Sequence, residues 1–328
     1  MKITRILFIL FFVSALTFAQ KNKNTFDWNG YAQFRLYKTN NSVQGFRIRR
    51  AKLWVKGKVP KADSFTYKVM GIFKYNKTGY FSLLDVFGNY NFSTGYLRFG
   101  QQIPEFSLQR EQPDWKIPVV ERASIINKLI PAAQSNARDI GVQVHLNFLD
   151  NNFQIATGIF NGNGANLKKH SSANFLYSLR SFYKIKFSKN YWWHIGTSLM
   201  YRKANNTNFS LIFGKDNLYS GDDFRFGFES LLKLNNLEIQ AEYIKADFNG
   251  SVSYGYYVLA NYIISTNDQV VISSDQLIDL NKNTDDAPWL NIGYNHLFTE
   301  HKLKLMINGG TQFNDNFSLT AQMQLFFN

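Results

Sequence analysis

From residue 28 to the C-terminus the chain is a succession of short segments in which apolar and polar residues alternate, the period-two signature of β-strands. In 28–37, Trp28, Gly30, Ala32, Phe34 and Leu36 share one face; Asn29, Tyr31, Gln33 and Arg35 take the other. In 139–148, Ile140, Val142, Val144, Leu146 and Phe148 oppose Asp139, Gly141, Gln143, His145 and Asn147. Further segments of this kind lie at 46–59, 64–74, 80–90, 96–99, 153–160, 175–187, 193–202, 208–213, 224–232, 237–246, 254–264, 289–296, 302–308 and 318–327, which makes 16 candidates. Beyond residue 18 no apolar run approaches the length of a membrane-spanning helix. Half-polar strands with this many apolar side chains to shield, and no helices, satisfy their backbone in lipid only by closing on themselves. The expected fold is therefore all-β: a transmembrane antiparallel β-barrel of about 16 strands, an even number as in bacterial outer-membrane barrels. Aromatic residues at 17%, with 31 Phe and 18 Tyr, suit the girdles such barrels carry at the membrane interfaces.

One stretch breaks the pattern. Between the strands at 96–99 and 140–146 lie roughly 35 residues without alternation, punctuated by Pro104, Pro113, Pro118 and Pro131. An irregular connection of that length in a compact fold is usually functional. The reading is a strand, a long loop folded into the lumen and a strand, with Ile117, Val119, Val120, Ile125, Ile126, Leu129 and Ile130 packed on the wall and a short helix at 124–129. The loop carries Arg110, Lys116, Arg122 and Lys128, and Arg98 and Arg138 stand at its roots. Its bases meet Glu105, Glu111, Asp114 and Glu121, so it is formally neutral, with ions expected to pair among themselves.

The first residues read as an export signal: Lys2 and Arg5, an apolar run over 6–18, then Ala19-Gln20. The domain organisation is thus a signal peptide at 1–19 and one barrel at 20–328. The formal charge is +14, and removing Lys2 and Arg5 leaves +12. Such a balance points to anionic partners, and export sets nucleic acid aside. The bases concentrate early. Residues 46–59 hold Arg47, Arg49, Arg50, Lys52, Lys56 and Lys58, and the alternation changes phase between Arg49 and Arg50, which calls for a β-bulge there or for a lower half that lies past the membrane edge. Asp85 is read as a carboxylate facing this basic lumen, on a face with Leu83 and Phe87. Glu238, Gln240 and Glu242 line one face of a later strand, so the basic character is not uniform around the wall.

Several pieces, in order, resemble the phosphate-selective porin O/P family of outer-membrane porins: 45–59 (GFRIRRAKLWVKGKV), 97–106 (LRFGQQIPEF), Glu121-Arg122, 137–144 (ARDIGVQV) and 155–164 (IATGIFNGNG). The resemblance implies a homotrimer in the bacterial outer membrane that conducts phosphate or related small anions by diffusion, with Arg49, Arg50, Asp85 and Arg122 at the anion path. Arg35, Lys52, Arg98 and Arg138 join them on the strength of the pattern alone. Lipid, small anions and further copies of the chain are the expected partners, with no cofactor, metal or nucleic acid.

Enzymatic readings find little support. There is no cysteine, none of the five histidines stands in HExxH, and GxSxG does not occur. Two other readings stay open: a general small-solute porin without phosphate preference, and a closed structural or adhesive surface barrel.

Overall fold

A computed structural model describes residues 26–328 except 41–43, 75–78, 132–136, 167–174, 215–216, 279, 281–285 and 313–315. The expected signal peptide lies outside the described residues. Sixteen strands run β1 (Phe26–Thr39), β2 (Gln44–Val59), β3 (Ala62–Lys74), β4 (Tyr80–Phe92), β5 (Gly95–Gln102), β6 (Asp139–Phe148), β7 (Phe153–Phe160) and β8 (Leu176–Lys186). They continue as β9 (Tyr191–Asn208), β10 (Leu218–Leu234), β11 (Leu237–Phe248), β12 (Ser251–Ile263), β13 (Asp268–Ile278), β14 (Trp289–His301), β15 (Leu303–Gln312) and β16 (Phe317–Phe327). Each pairs antiparallel with its chain neighbours, and β1 closes the barrel on β16. At one end the connections are tight, as at Pro60-Lys61, Ser93-Thr94 and Asn235-Asn236. We call this the turn end, and the opposite end, which carries the longer connections, the loop end.

The apolar strand face points outward as expected, with Phe34, Phe99, Val142 and Leu325 all exposed. The bulge is present: Gln33 faces Arg50 and Phe34 faces Ile48, so Arg49 is the additional residue. A second irregularity corrects a phase. Gly71 faces Leu83 while Val69 faces Val86, which places Leu84 and Asp85 opposite a single residue. Leu83 consequently faces out while Leu84 and Asp85 are both buried, and Asp85 does not share a face with Leu83.

Two strand assignments change. Residues 208–213 are not a strand: only Asn208, the last residue of β9, pairs in the sheet, and a short helix occupies Ser210–Phe213. Phe209 and Ile212 there bury inside against Phe248 instead of pairing in the ladder. The missing strand is β13. Its alternation is masked because lumenal positions such as Val271 and Leu277 are apolar, and Ser273-Ser274-Asp275 reads as a turn. The strand number holds although one member was misplaced.

The long loop lies inside the barrel. It contains two short helices, α1 (Leu108–Glu111) and α2 (Ser124–Lys128); the Ser210–Phe213 helix is α3. All seven apolar loop residues named above are buried, and all but Val120 form one core with Phe160, Leu176, Met200, Ile244 and Leu259 of the wall. Along β7–β13 the lumenal face therefore combines apolar residues packed on the loop with buried anchors such as Arg180, Arg225, Glu229 and Glu242, while larger cavities adjoin β16 and β1–β5. Asp275 of β13 accepts bonds from the backbone N–H and hydroxyl of Ser124 and so caps α2. Gly255 of β12 lets α2 approach: a Cβ there would lie 2.6 Å from Ile125 Cγ2.

Because this core fixes the loop, excising residues 104–136 is expected to widen the pore. Single-channel conductance should rise severalfold while the variant keeps the heat-modifiable migration of a folded barrel. Unchanged conductance would show that the loop does not restrict passage.

Candidate functional site

An irregular segment inside a barrel brings backbone donors and acceptors and its own charges, and all of them need partners. The wall supplies them. Glu242 of β11 accepts the backbone N–H of Leu108 and Gln109. Arg225 of β10 donates to the carbonyls of Leu129 and Ile130, and Lys304 of β15 to that of Ile117. Asn295 and Gln324 reach the carbonyls of Pro118 and Trp115.

Three loop carboxylates meet wall cations. Glu105 pairs with Arg180 of β8 at 2.9 Å, and Arg180 also holds Glu229 at 2.7 Å. Glu121 collects three arginines: Arg35 at 2.6 Å, Arg49, whose Nη2 donates at 2.8 Å, and Arg50 at 3.2 Å. The bulge makes this possible, since Arg49 and Arg50 are adjacent yet reach the same carboxylate. Asp114 is held by Lys52, by Arg122 within the loop and by Arg50 at 3.7 Å. Apart from Arg122–Asp114, the loop acids named here pair with the wall. The expectation of a loop neutralised within itself is corrected for Glu105 and Glu121, which folding the loop inward placed against strand cations, while Asp114 is shared between Lys52 of the wall and the loop's own Arg122.

The remaining sequence-nominated residues take two positions. Asp85 lies between Arg138 at 2.8 Å and Lys68 at 2.7 Å, which orients Arg138 at the end of the loop. Arg98 stands apart near the turn end, stacked 4.1 Å from the Phe87 ring centroid and donating to Asn89. Sequence reasoning passed over the anchors Arg180, Arg225, Glu242 and Lys304. Arg225 and Lys304 are each 1% exposed, a burial that no local spacing signals.

Two cavities flank this network. One of about 630 Å³ opens beside Arg47 and Tyr80 near the loop end, lined by seven bases (Arg47, Arg49, Arg50, Lys52, Arg110, Arg122, Arg138) and two carboxylates (Asp114, Glu121). The other, about 610 Å³, extends to Lys56 and Lys302 near the turn end. Both are lined by Lys52, Arg110, Asp114, Arg122 and Arg138, which mark a waist between them.

Glu121 and Asp114 titrate abnormally. Burial alone pushes Glu121 up, but hydrogen bonding and charge from Arg49, with Arg50 and Arg35, outweigh it and hold it below the ordinary carboxylate range. Asp114 is likewise driven down against its burial by Lys52, Arg122 and Arg50. A carboxylate depressed on folding contributes stability that is complete above its unfolded pKa and is lost as pH falls through the lower folded value. The loop should stay pinned as pH falls from 7 to about 4, because these acids remain ionised below the ordinary carboxylate range near 4. Open-channel current noise in the wild type should therefore stay low over that interval. Glu121→Gln removes one pin, and open-channel current noise should rise in it at every pH; a variant as quiet as wild type would show that Glu121 does not hold the loop.

Comparison with protein families finds that the one described as phosphate-selective porin O and P matches residues 25–271. Comparison with curated proteins returned no match. Among solved structures, this fold is similar to OmpT, an outer membrane protein of Vibrio cholerae described in trimer form, at 12% identity and TM-score 0.65 over 92% of this chain and 99% of that one. It is similar to Salmonella typhi OmpF at 11% identity and TM-score 0.64, covering 92% and 97%. An anion-selective porin from Comamonas acidovorans aligns at 8% identity and TM-score 0.62, covering 92% and 99%. At these identities the structural likeness establishes the fold.

Proposed function

The chain belongs to the phosphate-selective porin O and P family and is an outer-membrane porin, and on that premise we propose that it is an anion-preferring diffusion channel for phosphate or related oxyanions. The observation that carries this reading is the excess of base around the loop-end cavity: seven cationic side chains against two carboxylates. Rings of Arg and Lys favour anions over cations, and a confined charge acts through a lower effective dielectric than bulk water. An anion leaving its hydration shell is met by guanidinium donors, which bind oxyanions in a bidentate manner.

Passage also requires release. Glu121 and Asp114 hold part of the cationic charge, so an entering anion competes with carboxylates already in place and is not trapped. Beyond the waist, among the described residues, Arg47 and Arg98 have no carboxylate partner. Arg47 stacks 4.3 Å from the Tyr37 ring centroid toward the loop end, and Arg98 lies toward the turn end. A multi-step path of weak sites follows from this arrangement. Two cavities meeting at one set of residues favour conduction over a closed structural barrel and over catalysis. Assembly as a homotrimer in the outer membrane, after export by the signal at 1–19, completes the reading.

In a salt gradient the wild-type channel should show a reversal potential of anion preference. Arg49→Ala with Arg50→Ala should reduce it, each lost charge costing an anion about 1 kcal/mol or more. Lysine at both positions keeps the charge but loses the bidentate geometry, so block by phosphate should fall more than chloride selectivity. A reversal potential unchanged in the double alanine variant would remove these arginines from the filter.

A further inference from the structure

The turn-end cavity has a second character that charge does not explain. Phe326, Tyr31 and Trp54 stand on the adjoining strands β16, β1 and β2, and Trp115 joins them from the loop. Their ring centroids follow one another at 5.0 Å (Trp115 to Phe326), 5.7 Å (Phe326 to Trp54) and 6.3 Å (Trp54 to Tyr31). The result is a continuous aromatic strip lining a cavity of about 610 Å³. Trp54, Trp115 and Phe326 are half-buried. The strand neighbours Leu53, Leu325 and Phe327 are the ones exposed on the outer face, so the strip faces the lumen and is not part of a lipid girdle. Nor does it belong to the buried core that seats the loop on β7–β13. Half-exposed aromatic rings inside a channel whose lining is ordinarily polar invite a ring of matching character.

Cations border the strip on both sides. Lys56, Lys68 and Arg98 line the same cavity from β2, β3 and β5. On the other side is Lys302, whose carbonyl accepts the Phe326 N–H at 2.7 Å. Lys68 is engaged by Asp85, while among the described residues Arg98 and Lys302 have no carboxylate partner.

We propose that this cavity is a subsite for a ring-bearing organic phosphate, its ring stacked on the half-exposed Trp54–Phe326–Trp115 part of the strip, which the buried Tyr31 backs, and its phosphate held by the bordering cations. The proposal rests on the anion-channel reading and narrows its solute class. The cavity has the volume of sites that enclose small organic ligands.

The test is block of single-channel current by inorganic phosphate, adenosine monophosphate and glucose 6-phosphate, each added at the turn end at equal ionic strength. At least one ring phosphate should block at about tenfold lower concentration than inorganic phosphate, the gain that one stacked ring provides. Which one does so separates a nucleobase from a sugar ring. Trp115→Ala and, independently on the wall, Phe326→Leu should abolish that advantage and leave block by inorganic phosphate unchanged, which also shows that the variants are folded. Ring phosphates no more potent than inorganic phosphate in the wild type would overturn the subsite while leaving the anion channel standing. A loss of both blocks in parallel in the variants would overturn it too. No block by any of the three anions, with no anion preference, would overturn the channel reading itself.

Discussion

Everything in this molecule depends on seating an irregular loop in a place where its polar groups must be satisfied. A helix or strand brings its own hydrogen bonds; the segment from Ile103 to Pro131 does so only in the short turns of α1 and α2. The barrel meets the demand with side chains that would be costly alone. Arg225 and Lys304 are buried on the wall and spend their donors on loop carbonyls. Glu242 accepts two loop N–H groups, and Arg180 holds Glu105. Removing one partner from such a set leaves a buried charge uncompensated, a change that typically costs about 3–5 kcal/mol. The anchors therefore act together to define one loop position.

That position divides the lumen. On the β7–β13 side, apolar residues of loop and wall pack together beside buried ion pairs; on the other side, β16 and β1–β5 present their polar face to the two cavities. The channel is thus an eccentric path with a basic wall. Its charge is tempered by the loop. Glu121 and Asp114 draw together Arg35, Arg49, Arg50, Lys52 and Arg122, so the groups that would attract an anion also fix the constriction. Positioning and selectivity share the same guanidiniums, and a substitution there perturbs both.

Much of this was legible in the sequence for physical reasons. Alternation reports which side of a sheet meets lipid, so most strands and their outward faces could be read directly. The doubled Arg49-Arg50 betrayed the bulge because two adjacent side chains reach one lumen only where the pleat is broken. The loop's buried residues were visible as apolar positions in a segment with no lipid-facing face. Failures arose where the lumen is apolar. β13 lost its alternation against α2, and 208–213 looked like a strand because Phe209 and Ile212 bury inside the barrel. The anchors were hidden for a different reason: Lys304 meets Ile117 across 187 residues of sequence, and a lone lysine in a strand carries no mark of its partner.

The central claim is that the anion path runs beside the basic wall and that the loop core packed on β7–β13 closes the lumen around Ile244. The absence of cysteine makes a clean test available. A single cysteine replaces Asn127, which lines the loop-end cavity, and in a separate protein one replaces Ile244, which is wholly buried on the opposite side. Each is exposed to methanethiosulfonate reagents that differ only in carrying a sulfonate or a quaternary ammonium. At position 127 the anionic reagent should react faster, and at position 244 neither should react. Equal or inverted rates at 127, or ready modification at 244, would contradict the account.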